Sequence, residues 1–138
     1  MMSQSQNWRD ARLAAFCTLL DSDNTNPGEL LIYSGTRPSP GGTPSGFILA
    51  RVIMKKPSLD NVTSNILTIK TPDDILISTS GYASWARFTS GSGLWICDVD
   101  VSLPGGGAEI EIDNGSLASL VLYAGGTLSV TLPRIQES

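Results

Sequence analysis

The spacing of apolar positions changes once along the chain, and that change divides it. Trp8, Ala11, Ala15, Phe16, Leu19 and Leu20 recur at intervals of three, four and one, which is one helical face. Arg9, Asp10 and Arg12 mark the wetter side, and Asn7 is placed to cap the start. Beyond residue 26 the period shortens to two. Short apolar runs closed by Gly, Pro, Asn or Ser predict strands over residues 30–33, 47–54, 66–70, 75–79, 82–89, 94–101, 109–112, 117–123 and 127–132. Residues 58–64 carry no such pattern and read as a loop, as do the Pro- and Gly-rich residues 38–46.

The clearest alternation places Trp95, Cys97, Val99 and Val101 on an inward face and Ile96, Asp98 and Asp100 on the wet one. Residues 90–93 (Ser-Gly-Ser-Gly) join it to the preceding strand as a hairpin. In the 47–54 run, Ile48, Ala50, Val52 and Met54 oppose Phe47, Leu49, Arg51 and Ile53, with Arg51 marking the more exposed side; Leu128, Val130 and Leu132 point inward at the end. About eight short strands at intervals near ten residues, behind one terminal helix, predict an all-β fold: a β-sandwich, jelly-roll-like. An N-terminal arm and helix occupy 1–24 and the sandwich 25–138 of one globular domain. The pattern excludes a doubly wound α/β fold.

Composition narrows the function. The chain of 138 residues is 41% hydrophobic and only 16% charged, with net charge -4, and its basic residues are scattered apart from Lys55-Lys56. Nucleic-acid binding needs clustered Lys and Arg, so no direct nucleic-acid partner is expected. Histidine is absent, which removes the usual general base and most zinc sites. Cys17 and Cys97 lack C-x-x-C spacing and are expected to be buried free thiols. No apolar run is long enough to span a membrane, and the polar N-terminus does not read as a signal peptide, so synthesis in a cytosol-like compartment is expected.

Few residues invite chemistry. Residues 21–26 (Asp-Ser-Asp-Asn-Thr-Asn) suggest a calcium loop, but Asn26 and Ile32 stand where an EF-hand needs Gly and Glu, so an Asx-rich turn is expected. Asp98 with Asp100, and Glu109 with Glu111, are i, i+2 carboxylate pairs, the residue type used in glycoside hydrolysis or cation binding; a solvated strand face explains them more simply. Residues 105–107 (Gly-Gly-Gly) form a turn, since neither a lysine nor a helix follows to hold phosphate. Tyr82, Trp85, Phe88 and Trp95 with Arg87 could form a stacking platform for sugars or single-stranded nucleic acid, with core packing the favoured reading.

Residues 26–38 (Asn-Pro-Gly-Glu-Leu-Leu-Ile-Tyr-Ser-Gly-Thr-Arg-Pro), followed by Gly41-Gly42, resemble a family of small tailed-bacteriophage virion proteins in which a Pro-Gly-x-Leu-x-Ile-Tyr-x-Gly-Thr-Arg-Pro run follows an N-terminal helix. Residues 7–12, 83–87 (Ala-Ser-Trp-Ala-Arg), 98–101 (Asp-Val-Asp-Val) and 124–130 extend the resemblance over most of the chain. Ser34 stands where that pattern has an acidic residue, and residues 55–74 depart from it. The resemblance implies a non-enzymatic virion protein, assembled in the host cytoplasm, that forms a homodimer or homotrimer and braces the major capsid protein as a cement or decoration protein. A neck, tail or fibre-associated protein is the alternative, and a carbohydrate-binding β-sandwich using Tyr82, Trp85 or Trp95 is an alternative of another class. No cofactor and no membrane partner is expected. Partner contacts are expected at Trp8, Arg9 and Arg12, at Arg37, Pro38, Pro40 and Pro44, and at Ser90 and Gly91, because loops carry contacts when a rigid sheet positions them.

Overall fold

The computed structural model describes residues 3–115, 119–131 and 134–136. Helix α1 spans Gln6–Leu20 and is capped by Ser5, whose hydroxyl accepts from the Trp8 amide at 3.1 Å. Asn7 therefore lies inside the helix, not at its cap. The buried stripe is Leu13, Cys17 and Leu20, with Phe16 half-buried and edge-on to Phe88 at 5.0 Å. Trp8, Ala11, Ala15 and Leu19 are exposed instead. Residue size misplaced this face, because burial follows the side of the helix that meets the strands. Asp10, expected on the wet side, accepts from the Asn65 amide at 3.3 Å, and the Gln6 amide group donates to both Asp10 and Asn65.

Among the described residues twelve strands follow: β1 (Glu29–Tyr33), β2 (Ile48–Ile53), β3 (Leu59–Thr63), β4 (Ile66–Ile69), β5 (Ile75–Leu76), β6 (Gly81–Tyr82), β7 (Trp85–Thr89), β8 (Trp95–Ser102), β9 (Ile110–Asp113), β10 (Val121–Leu122), β11 (Thr127–Thr131) and β12 (Arg134–Gln136). The count exceeds the expected eight for three reasons, one being that β12, which pairs with β4, lies beyond every predicted run. The 82–89 run splits, its first part pairing with β10 and its second entering the main sheet. Residues 58–64, expected as a loop, contain β3, whose Leu-Asp-Asn-Val-Thr sequence is mostly polar because most of it faces solvent. β3 and β4 are joined by Ser64 and Asn65, both at positive φ (51° and 68°), the backbone signature of a tight hairpin turn. Leu117 and Leu132 lie outside the described residues.

The main sheet runs β2-β1-β7-β8-β9-β11-β5, and an Ala50–Ile77 bridge brings its two ends together into a nearly closed, barrel-like sandwich. Smaller sheets β12-β4-β3 and β10-β6 complete it. All pairings are antiparallel except β8–β9, in which Val101 opposes Ile110 and Ser102 opposes Glu111. Parallel neighbours ordinarily need a long crossover. Here β9 starts level with the end of β8, so the short 103–109 loop suffices. Glu111 pins that loop by accepting from the Gly105 and Gly107 amides, each at 3.1 Å. Its carboxylate is buried as a result and does not belong to a wet face.

The core has two parts. Leu30, Ile32, Val52, Phe88, Val99, Ile110, Ile112, Leu128 and Val130 fill the interior with the helix stripe and with Leu67 and Ile69. Leu31, Tyr33 and Trp85 form a second cluster on the opposite face of β1 and β7, with Ile48 packed on it. β1 is thus buried on both faces, which accounts for its unbroken Leu-Leu-Ile-Tyr run. Among the described residues no helix is long and apolar enough to cross a membrane.

Candidate functional site

The outward face of β1, β7 and β8, covered by the 34–46 loop, is the most elaborately built polar feature of the described residues. Its register follows from the hairpin: the β7–β8 turn sets Arg87 opposite Asp98 and Trp85 opposite Asp100, while β1 sets Leu31 opposite Arg87 and Tyr33 opposite Trp85. Tyr33 stacks on Trp85 at 4.5 Å with the rings 9° from parallel, and the Arg87 guanidinium also lies over Trp85, 5.2 Å from its ring centre.

Asp98 is the node of this face. It accepts from Arg87 Nε at 2.7 Å and Nη2 at 3.2 Å, from Trp95 Nε1 at 3.0 Å and, at 3.4 Å, from the Gly41 amide. Arg87 Nη2 also donates to the Gly42 carbonyl at 2.9 Å, so one cross-strand ion pair holds the covering loop from both sides. The side chains of Arg87 and Asp98 are only 11% and 4% exposed. Burial opposes ionisation of Asp98, but the hydrogen bonds from Arg87 and Trp95 and the Arg87 charge outweigh it and hold the carboxyl below its ordinary range. The same bond raises Arg87 further. From the covering loop, Arg37 donates to Asp100 on β8 at 2.9 Å in a solvated pair, at 44% and 67% exposure.

This arrangement revises the expected faces of β8. Asp98 shares its sheet face with Asp100 as alternation requires, but the loop closes over it. Trp95, expected inward, is 42% exposed, and it joins the Asp98 side. The cause is a register shift between Phe88 and Thr89: Cys97 opposes Phe88 and Trp95 opposes Thr89, leaving Ile96 as an extra residue that turns Trp95 over. The loop is shaped to that ring, since a Cβ on Gly41, at φ +72°, would lie 3.2 Å from Trp95 Cε3. Trp85 offers no stacking platform to a ligand because it is buried under the loop, whereas Tyr82 and Trp95 are exposed.

The expected contact residues scatter. Arg37, Pro38, Pro40 and Pro44 all lie in the covering loop, Arg37 as its anchor to β8, with Pro40 exposed and Pro38 and Pro44 half-buried. Ser90 is fully buried; its hydroxyl bonds Ser92 Oγ and accepts from the Leu94 amide, so it shapes the hairpin turn. Gly91 sits against residue 26, where an added Cβ would meet the Asn26 carbonyl at 2.2 Å, and lines a shallow cleft with Asn26, Pro27, Glu29 and Ile53. Trp8, Arg9 and Arg12 lie on α1, which packs on β3, β4 and β8; Arg12 stands over the Trp8 ring at 5.5 Å and donates to Gln4.

The remaining chemical candidates serve the fold. Asp23 accepts from the Thr25 and Asn26 amides at 3.1 and 2.6 Å, as an Asx turn should, and these bonds lower its pKa. Both cysteines are free thiols, Cys17 buried and Cys97 half-buried. Burial, reinforced by Asp98 and Glu109, pushes the Cys97 thiol up to about 12. Among the described residues no group of three or more carboxylate and cysteine side chains could hold a metal ion.

The Arg87–Asp98 pair was not anticipated from the sequence, although opposite charges nearly equidistant from a hairpin turn are a signal for it. No family model matches the chain, and neither a curated protein nor a solved structure matches it.

Proposed function

We propose that the protein is a non-enzymatic structural component of a tailed-bacteriophage virion, and that it acts as a cement or decoration protein bracing the major capsid protein. The observation that carries this reading is spatial. Three of the sequence segments that resemble the virion family, residues 26–42, 83–87 and 98–101, are far apart in the chain yet meet on one face through Tyr33–Trp85, Arg37–Asp100, Arg87–Asp98 and Arg87–Gly42. These three segments thus build one internally paired face rather than a reactive cleft. Its carboxylates Asp98 and Asp100 are each bound by an arginine, an arrangement suited to positioning a loop. A stiff sheet presenting a Pro- and Gly-rich loop suits docking onto another subunit with little ordering cost.

Particles assembled without the protein test the proposal. The expected result is normal assembly with lowered resistance to heat, restored by adding the purified protein, which binds at a copy number following the capsid lattice. Equal endurance with and without the protein excludes cementing. Binding confined to the tail or neck of the particle selects the other virion role.

A further inference from the structure

We propose that Asn114 and Gly115 form a self-modification site, a succinimide-forming pair whose reaction the native fold withholds and whose product loosens residues 119–122 from the body. This goes beyond the virion reading and does not depend on it. Of Asn7, Asn24, Asn26, Asn61, Asn65 and Asn114, only Asn114 is followed by glycine. The others precede Trp, Thr, Pro, Val or Ile, which crowd the backbone nitrogen that must react or, in proline, remove its proton.

The reaction is internal and consumes only water. The Gly115 backbone nitrogen gives up its proton and attacks Asn114 Cγ, forming an N–Cγ bond. The Cγ–Nδ2 bond breaks, and Nδ2 leaves as ammonia with a proton equivalent to the one Gly115 lost. Water then opens the succinimide ring at either carbonyl, leaving aspartate or isoaspartate at this position. Gly115 is exposed at φ +84°, and a Cβ built on it would meet nothing within 4 Å, so neither crowding nor exclusion of water restrains the step.

Hydrogen bonds restrain it instead. The leaving nitrogen, Asn114 Nδ2, donates to the Ser119 carbonyl at 3.1 Å and to the Val121 carbonyl at 3.0 Å. The attacking nitrogen donates to Asp113 Oδ1 at 3.0 Å, and a carboxylate there opposes the anion that this nitrogen must become. Conversion therefore waits until these bonds open locally. The same bonds are what the product loses. A carboxylate at this position has no proton to donate and meets two carbonyl oxygens. Val121 opposes Tyr82 in the β10–β6 pair, and the Leu120 carbonyl accepts from the Ala83 amide at 3.0 Å, so the repulsion falls on the segment that seats the buried Leu120 and Leu122. Opening permits conversion, and conversion opposes closing: the site is a one-way latch.

Peptide mapping by mass spectrometry tests this on the full chain, incubated at mildly alkaline pH both folded and in guanidinium chloride. In the unfolded chain Asn114 is expected to convert ahead of every other asparagine. In the folded chain its conversion is about 10- to 100-fold slower, the protection that two hydrogen bonds give. Asp113→Ala takes the charge from beside the attacking nitrogen and speeds conversion in the folded chain. Asn114→Asp stands in for one product and raises hydrogen exchange of residues 119–122 by about 10-fold or more, leaving β7 and β8 unchanged. Circular dichroism checks that this variant folds; where it does not, the folded and unfolded rates of the unmodified chain decide. Equal rates in the folded and unfolded chain, another asparagine converting first in the unfolded chain, or a folded Asn114→Asp with unchanged exchange each overturns the proposal. None of these results bears on the virion role, which particle binding tests separately.

Discussion

Asp98→Ala is the most informative single change. It removes the acceptor for Arg87 Nε and Nη2, for Trp95 Nε1 and for the Gly41 amide. The consequences differ by site. Trp95 is partly exposed and can donate to water, and the Gly41 contact is long, so neither costs much. Arg87 keeps the Gly42 carbonyl and the Trp85 ring but no counter-charge, while its side chain remains about nine-tenths buried. Removing one partner of a buried pair leaves an uncompensated charge and costs about 3–5 kcal/mol. Asp100→Ala breaks the neighbouring pair with Arg37, which is largely solvated, and should cost no more than about 1 kcal/mol. Urea denaturation of both variants at neutral pH measures the contrast. Restoring packing without charge, with Arg87→Met and Asp98→Leu together, should recover much of the loss, since well-packed apolar replacements of buried pairs are often neutral. If Asp98→Ala and Asp100→Ala fall within error of each other, water reaches Arg87 freely and the loop does not seal the face.

Further measurements probe the same physics. Asp98 has a folded-state pKa below its unfolded one, so its contribution to stability is complete above the unfolded value, near 4, and is lost as pH falls toward the folded value; denaturation midpoints should therefore drop below about pH 4, and Asp98→Asn should flatten that drop. With the Cys97 thiol pushed up to about 12, it should react with a thiol reagent at pH 8 roughly 1,000-fold more slowly than free cysteine, and Cys17, buried and also raised, should be slowed as well, both thiols becoming fully reactive on unfolding. Fast reaction of either thiol in the folded protein contradicts its burial. Glu111→Ala strips two backbone amides of their acceptor and should cost about 1–3 kcal/mol while exposing the 103–109 loop to proteolysis; an uncut loop shows that Glu111 does not hold it.

The sequence by itself determined the division of this protein into a helix and an all-β body, because a change of period from 3.6 to 2 follows directly from which backbone can bury one side of itself. It also determined where most strands end, since Pro, Gly and Asx residues limit the backbone locally. The Asx turn at Asp23 and the β7–β8 hairpin were legible for the same reason. The helix face was not, because Trp8 and Leu19 are as apolar as Leu13 and only contact with β3 and β4 decides which of them is buried. β3 escaped notice since a strand with one shallowly covered side needs no apolar alternation. Trp95 was assigned to the wrong face by strict period-two counting, which a single extra residue at Ile96 defeats. The charged and uncharged faces belong wholly to the tertiary structure: Asp98 becomes a buried node only when a loop 57 residues earlier closes over it, and an uncharged wall exists only because barrel closure brings residues 47–50, 76–82 and 121–127 together. Local composition fixes what each segment can bury, and long-range pairing fixes what it meets.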